Sequence, residues 1–144
     1  MSKKVSDVLH RKNVQLISVI QDTPVIEALK IMAEKNIGSV VVMATDNKYL
    51  GIMTERDYSR KVVLKGRSST ETTAMEIMSS DLPPVNPSDT IDYCMQLMSD
   101  KNIRYLPVFE NDIVKGILSI NDVVKETILS HEETITHLRD YVNS

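Results

Sequence analysis

Cysteine occurs once in these 144 residues, tryptophan not at all, phenylalanine once and glycine four times. Each scarcity removes a class of function. Cys94 alone forms no intrachain disulfide and assembles no local structural zinc set, which points to a reducing, cytoplasmic setting. With only Gly38, Gly51, Gly66 and Gly116, neither the Gly-x-Gly-x-x-Gly fingerprint nor the Walker pattern can be written anywhere in the chain. Aromatics at 4% provide no base-stacking platform, and a formal charge of -3 argues against a general nucleic-acid binder. His10, His131 and His137 form no His-Glu-x-x-His pair, and no Gly-x-Ser-x-Gly elbow accompanies the serines. Apolar runs fall short of the ~20 residues of a membrane span. The opening Met1-Ser2-Lys3-Lys4 leads into polar sequence without an apolar signal segment, and a soluble protein with no membrane partner is expected.

What remains is ordinary globular composition, 42% hydrophobic and 26% charged, with eight methionines to fill a core of Ile, Val and Leu. Cys94, on a stripe with Met95 and Met98, reads as core rather than nucleophile. The chain also repeats itself, with a period of about 66 residues. Residues 24–42 align with 90–108 without a gap, and Met32, Lys35, Asn36, Ile37 and Val42 recur as Met98, Lys101, Asn102, Ile103 and Val108. After a one-residue slip, residues 51–57 align with 116–122, so that a Gly-Ile-x-Thr/Ser-x-x-Asp segment occurs twice. The division falls at 1–73 and 74–144, two units of one module.

Val25, Ala28, Leu29 and Met32, like Ile91, Cys94, Met95 and Met98, have the spacing of an amphipathic helix, with Thr23 and Asp89 placed as N-caps. Apolar runs at 39–43 and 106–109 predict buried strands. Turns at Asp46-Asn47 and Asn111-Asp112 lead to further strands and then to helices starting near Thr54 and Ser119. Short apolar lead-ins, 5–9 and 74–78, precede the units, and 121–142 predicts one long helix, either continuous or broken.

The doubled Gly-Ile-x-Thr/Ser-x-x-Asp segment, the Lys-Asn-Ile endings and Leu106-Pro107-Val108 together resemble a tandem pair of cystathionine-β-synthase (CBS) domains, a Bateman module. The resemblance covers nearly the whole chain. Thr54-Glu55-Arg56-Asp57-Tyr58, with Arg60-Lys61 and Gly66-Arg67-Ser68-Ser69, looks like a stand-alone CBS-pair subfamily of bacteria and plant organelles. It implies an α/β (α+β) fold of two β-α-β-β-α units packed sheet to sheet about a pseudo-twofold axis, with two clefts for AMP, ADP, ATP or NAD. Carried over, one cleft would use Gln15, Ile17, Ile37, Gly38, Tyr105, Ser119 and Asp122, and the other Pro83, Ile103, Arg104, Thr54, Arg56 and Asp57. Val41 in place of the Pro of Pro107, and Pro83-Pro84 in place of polar lead-in residues, depart from the pattern.

The chemistry of these residues admits two readings. A hydroxyl at a helix start joins free N–H groups that favour phosphate, and a carboxylate three residues on can accept from ribose hydroxyls. The same Thr54/Asp57 and Ser119/Asp122 pairs can equally be helix caps. Five cations between 54 and 67 against Glu55 and Asp57 are either a phosphate-tuning run or a solvated face. Arg104, where the first unit has Gly38, needs either a phosphate partner or an exposed strand start. No catalytic constellation emerges. The expected function is a non-catalytic nucleotide-sensing module acting on an unidentified protein partner, the alternative a scaffold of the same fold with empty clefts. Ile128, Ile135, Leu138 and Val142 on the last helix suggest a homodimer, against which stands a helix folded back on its own sheet.

Overall fold

Val25, Ala28 and Met32 recur at helical spacing and are almost wholly buried along α2 (Val25–Lys35), and Ile91, Cys94 and Met98 repeat that face on α5 (Ile91–Lys101). The structure, a computed structural model, describes residues 3–12 and 15–143, with side chains described throughout except at 133–134, 137–138 and 141–143. Both helices stop for the same reason. Asn36 and Asn102 adopt left-handed backbone, φ 54° and 53°, and the next N–H turns back to the carbonyl of Met32 or Met98. The Lys-Asn-Ile recurrence is therefore a helix stop.

The first unit comprises β1 (Ser18–Ile20), α2, β2 (Ser39–Met43), β3 (Tyr49–Thr54) and α3 (Glu55–Tyr58), which continues as a π-helical turn over Ser59–Val63. Its sheet runs β1-β2-β3, parallel then antiparallel. The second has α5, β4 (Tyr105–Glu110), β5 (Ile113–Ser119) and one continuous helix, α6 (Ile120–Asn143). The fold is α+β, as expected, with one difference in the second unit. Its leading strand shrinks to a bridge between Val85 and Val108, because Pro83, Pro84 and Pro87 remove the N–H donors a ladder needs.

The lead-in helices α1 (Val5–Lys12) and α4 (Ala74–Ile77) are exchanged. Val5 and Val8 pack into the second unit's core with Leu106, Leu118 and Val123, while Ala74 and Ile77 pack into the first with Val40, Val42 and Met53. Backbone bonds repeat the exchange symmetrically. Val5 donates to Asp89 and Ile91 to Lys3, just as Ala74 donates to Thr23 and Val25 to Thr72, all at 2.8–2.9 Å. The sequence division at 73/74 separates the repeats, whereas each core draws a helix from across it.

The caps are corrected as well. The residues flanking α2 and α5 are Pro24 and Thr90, not Thr23 and Asp89, and the first helical N–H goes to the carbonyl of a residue just ahead of a lead-in helix, Thr72 for α2 and Lys3 for α5. Thr90 Oγ1 accepts from the Tyr93 N–H at 3.1 Å, and the Asp89 carboxylate accepts instead from Asn86 N at 2.7 Å. Between the units, β2 meets β5, and Tyr49 of β3 meets Phe109 of β4 edge-on with ring centroids 4.9 Å apart. Val41 and Ile52, cross-strand partners outside the α2-side core, are fully buried on the opposite sheet face.

Candidate functional site: the cavity between the units

A cavity of about 590 Å³ opens where the end of α2 faces the start of α6 across the junction of the units. The left-handed turn at Asn36 swings Ile37, Gly38 and Ser39 into one wall. The opposite wall is Gly116 and Ile117 of β5 with Ser119, Asn121 and Asp122, and the segment after α1 contributes Gln15, Leu16 and Ile17. Tyr105 reaches across the junction. A Cβ on Gly38 would stand 2.6 Å from the Tyr105 Oη, so the missing side chain is what admits the phenol. Burial and the carboxylates of Glu55 and Asp122 raise the Tyr105 pKa against the opposing pull of Arg104, so the phenol stays a hydrogen-bond donor.

Asp122 is held by its own helix start. Its Oδ2 accepts from the Ser119 N–H at 2.9 Å and Oγ at 2.8 Å, while the Asp122 N–H donates to Ser119 Oγ at 3.2 Å. Lys12, the last residue of α1, donates to the same Oδ2 at 2.7 Å. Among the described residues Oδ1 has no partner. Its side chain is 15% exposed, so one face of a fixed carboxylate looks into the cavity.

The matching motif in the first unit is spent differently. Thr54 and Asp57 form a full capping box, with Asp57 Oδ2 accepting from Thr54 N at 3.0 Å and Oγ1 at 2.9 Å. Oδ1 is occupied as well, by Ser79 Oγ at 3.2 Å and Lys61 Nζ at 3.1 Å. Ser79 arrives there because its backbone pairs with Ile52. That approach requires Gly51, whose Cβ would lie 2.6 Å from the Ser79 carbonyl oxygen.

The seven residues expected in the first cleft, Gln15, Ile17, Ile37, Gly38, Tyr105, Ser119 and Asp122, all line this cavity. The other six do not line it. Thr54 and Asp57 are buried, Pro83 is half-buried, Ile103 packs against the second core, and Arg56 and Arg104 are exposed. Arg104 is exposed at the start of β4, its carbonyl accepting from Ile120 N at 2.8 Å. In the basic run, Lys61 also donates to the Ile77 carbonyl at 2.9 Å and Arg67 pairs with Glu76, whereas Arg56, Arg60 and Lys65 are exposed. Lys12, Lys35 and Asn121 line the cavity but were not read from the sequence. The basic end of α1, His10-Arg11-Lys12, was the available signal for Lys12.

Two repeated α+β units that face each other around a cavity, each with a hydroxyl/carboxylate helix start, define a module of paired repeats. The family model for the CBS domain matches residues 5–63 and 74–128, and the chain belongs to that family. It is 38% identical over 125 residues to the mitochondrial CBS domain-containing protein CBSX3 of Arabidopsis thaliana, covering 84% of this chain and 61% of that one. The chain thus spans less than two thirds of that relative's length. A solved protein with CBS domains from Burkholderia ambifaria superimposes with a TM-score of 0.82 at 40% identity, covering 88% and 95% of the two chains. The CBS domain pair of MJ0100, solved in complex with 5′-methylthioadenosine and S-adenosyl-L-methionine, gives a TM-score of 0.76 at 25% identity and 87% and 95% coverage. No described helix is long and apolar enough to cross a membrane.

Proposed function

We propose that the chain is a non-catalytic regulatory module that binds AMP, ADP, ATP or NAD in the cavity at Asp122 and signals to a protein partner. The observation that supports this is the contrast between the two aspartates. Asp122 keeps Oδ1 open toward a cavity of suitable size for a nucleoside, whereas both oxygens of Asp57 are already engaged. In this reading the Oδ1 of Asp122 takes a ribose hydroxyl, and Ile17 and Ile37 supply apolar wall for a base. The Thr54, Arg56, Asp57, Pro83, Ile103 and Arg104 set then serves mainly the fold, and one ligand binds per chain. Adenosine ligands on the MJ0100 pair lend support by likeness. A reducing, cytoplasmic setting belongs to the same proposal, resting on a single, buried Cys94.

Calorimetry with an adenine nucleotide panel tests it. Asp122→Asn removes one charge-assisted hydrogen bond, typically about 1.5–3 kcal/mol, and should weaken binding roughly ten- to a hundredfold. Asp57→Asn should lower stability and leave affinity near wild type. The reverse pattern would move the site to Asp57, and no binding by any nucleotide would leave the scaffold reading.

The module is further proposed to be a homodimer. Val124, Ile128 and Ile135 form an exposed apolar stripe on α6, and Ile128 remains 53% exposed within the chain. The side chains of Leu138 and Val142, read as part of that stripe, lie outside the described residues. Light scattering should give a dimer mass that falls to the monomer on truncation after Ser130. A dimer that survives truncation would move the interface to α2 and α5.

A further inference from the structure

The cavity at Asp122 carries more positive charge than its proposed sugar contact requires. Lys12 and Lys35 line it together with Asp122, the one carboxylate among the lining residues, while the Glu55 carboxylate stands behind Gly38 and Tyr105. Part of the Asp122 charge is already balanced by Ser119 N and Oγ and by Lys12. Lys12 Nζ spends one of its three donors on Asp122 Oδ2 at 2.7 Å, and its side chain is 38% exposed, so further donors remain for an anion beside the carboxylate. Among the described residues Lys35 makes no ion pair, and the N-terminus of the 24-residue α6 opens on the same space.

Lys12 is also held in place from behind. Val5 and Val8 anchor α1 in the second core. The neighbouring Arg11 forms a two-pronged pair with Glu126, a carboxylate 2% exposed on α6, its second contact at 3.2 Å. The ammonium therefore starts from a fixed base within reach of Asp122, and little ordering remains to be done when an anion arrives.

We infer that this cavity selects a phosphorylated adenosine ligand over a neutral or sulfonium-bearing one, with Lys12 as the specificity-determining residue. The inference rests on the nucleotide reading of the same cavity. Lys12 bridges Asp122 and the ligand phosphate, Lys35 adds a second cation at the rim, and a sulfonium ligand meets two ammonium groups that oppose it.

Calorimetry with AMP, adenosine and S-adenosylmethionine, at low and at moderate salt, tests this on wild type, Lys12→Met and Lys12→Arg. Wild type should prefer AMP over adenosine and adenosine over S-adenosylmethionine, with the AMP preference falling as salt rises. Lys12→Met should cut the AMP-to-adenosine ratio by about tenfold or more, the value of one charge-assisted contact. Lys12→Arg should keep most of the ratio, and circular dichroism should show all three proteins folded through the α1 anchors. Equal wild-type affinity for AMP and adenosine, or an unchanged ratio in Lys12→Met, overturns the selectivity while leaving a nucleoside site intact. Failure of all three ligands to bind overturns the nucleotide reading and this inference with it.

Discussion

Ile77 belongs by sequence to the second repeat but is fully buried in the core of the first, beside Val40, Val42 and Met53. Ile77→Ala removes three carbons at about 0.8 kcal/mol each, roughly 2.4 kcal/mol of transfer free energy. The residual cavity adds to this, giving about 3 kcal/mol within the roughly 2–5 kcal/mol range of such truncations. For a chain of this size that lowers Tm by roughly 6–12 °C. Urea unfolding followed by circular dichroism measures the total, and amide hydrogen exchange locates it. Protection should fall in β2 and β3, which carry the contacts, even though the substitution lies beyond residue 73. A loss under about 1 kcal/mol, or deprotection that begins in β4 and β5, would refute the exchange of lead-in helices.

Two further substitutions probe the junction of the units. The Tyr49 hydroxyl is buried without a hydrogen-bond partner among the described residues, and burial pushes its pKa up from 10 to about 12. A raised folded pKa holds stability below the unfolded value and loses it as pH rises from about 10 toward 12, so Tyr49→Phe should gain about 1 kcal/mol at neutral pH and flatten the alkaline decline in urea midpoints. Gly38→Ala should drive the Tyr105 ring aside, weakening nucleotide affinity and costing about 1–3 kcal/mol of stability. Because Tyr105 Oη is the clashing atom at 2.6 Å and the ring carbon behind it lies at 3.7 Å, adding Tyr105→Phe should restore stability, and unchanged thermal shifts in the double variant would contradict the close contact.

The repeat, its strands and the helix stripes were legible because burial imposes short periods on neighbouring residues, and Val25/Ala28/Met32 shows that period without any knowledge of its partner. The destination of the lead-in helices was not. Val5-Val8 and Ala74-Ile77 announce a buried face, but no local pattern states whose core receives it. The shortened strand at Val85 was half visible, since three prolines stand nearby in the sequence and their cost to a ladder is general. Likewise the two Asp motifs read alike. What separates them is a serine 22 residues beyond Asp57, a lysine four residues after it, and for Asp122 a lysine 110 residues upstream. Of these only Lys61, at helical spacing from Asp57, could have been found by local reasoning.

The crossed lead-ins also bear on what half of this chain could be. A single repeat cut at residue 73 would carry a helix with no core of its own to enter and a core with one wall missing, and a second copy of the same half would supply both defects at once. Such a half-chain is thus self-complementary by construction, able to close as a twofold pair through reciprocal donation of one short helix. Joining two copies end to end makes that donation intramolecular, and frees each copy to diverge: one keeps its aspartate for the fold, the other turns its aspartate toward a cavity.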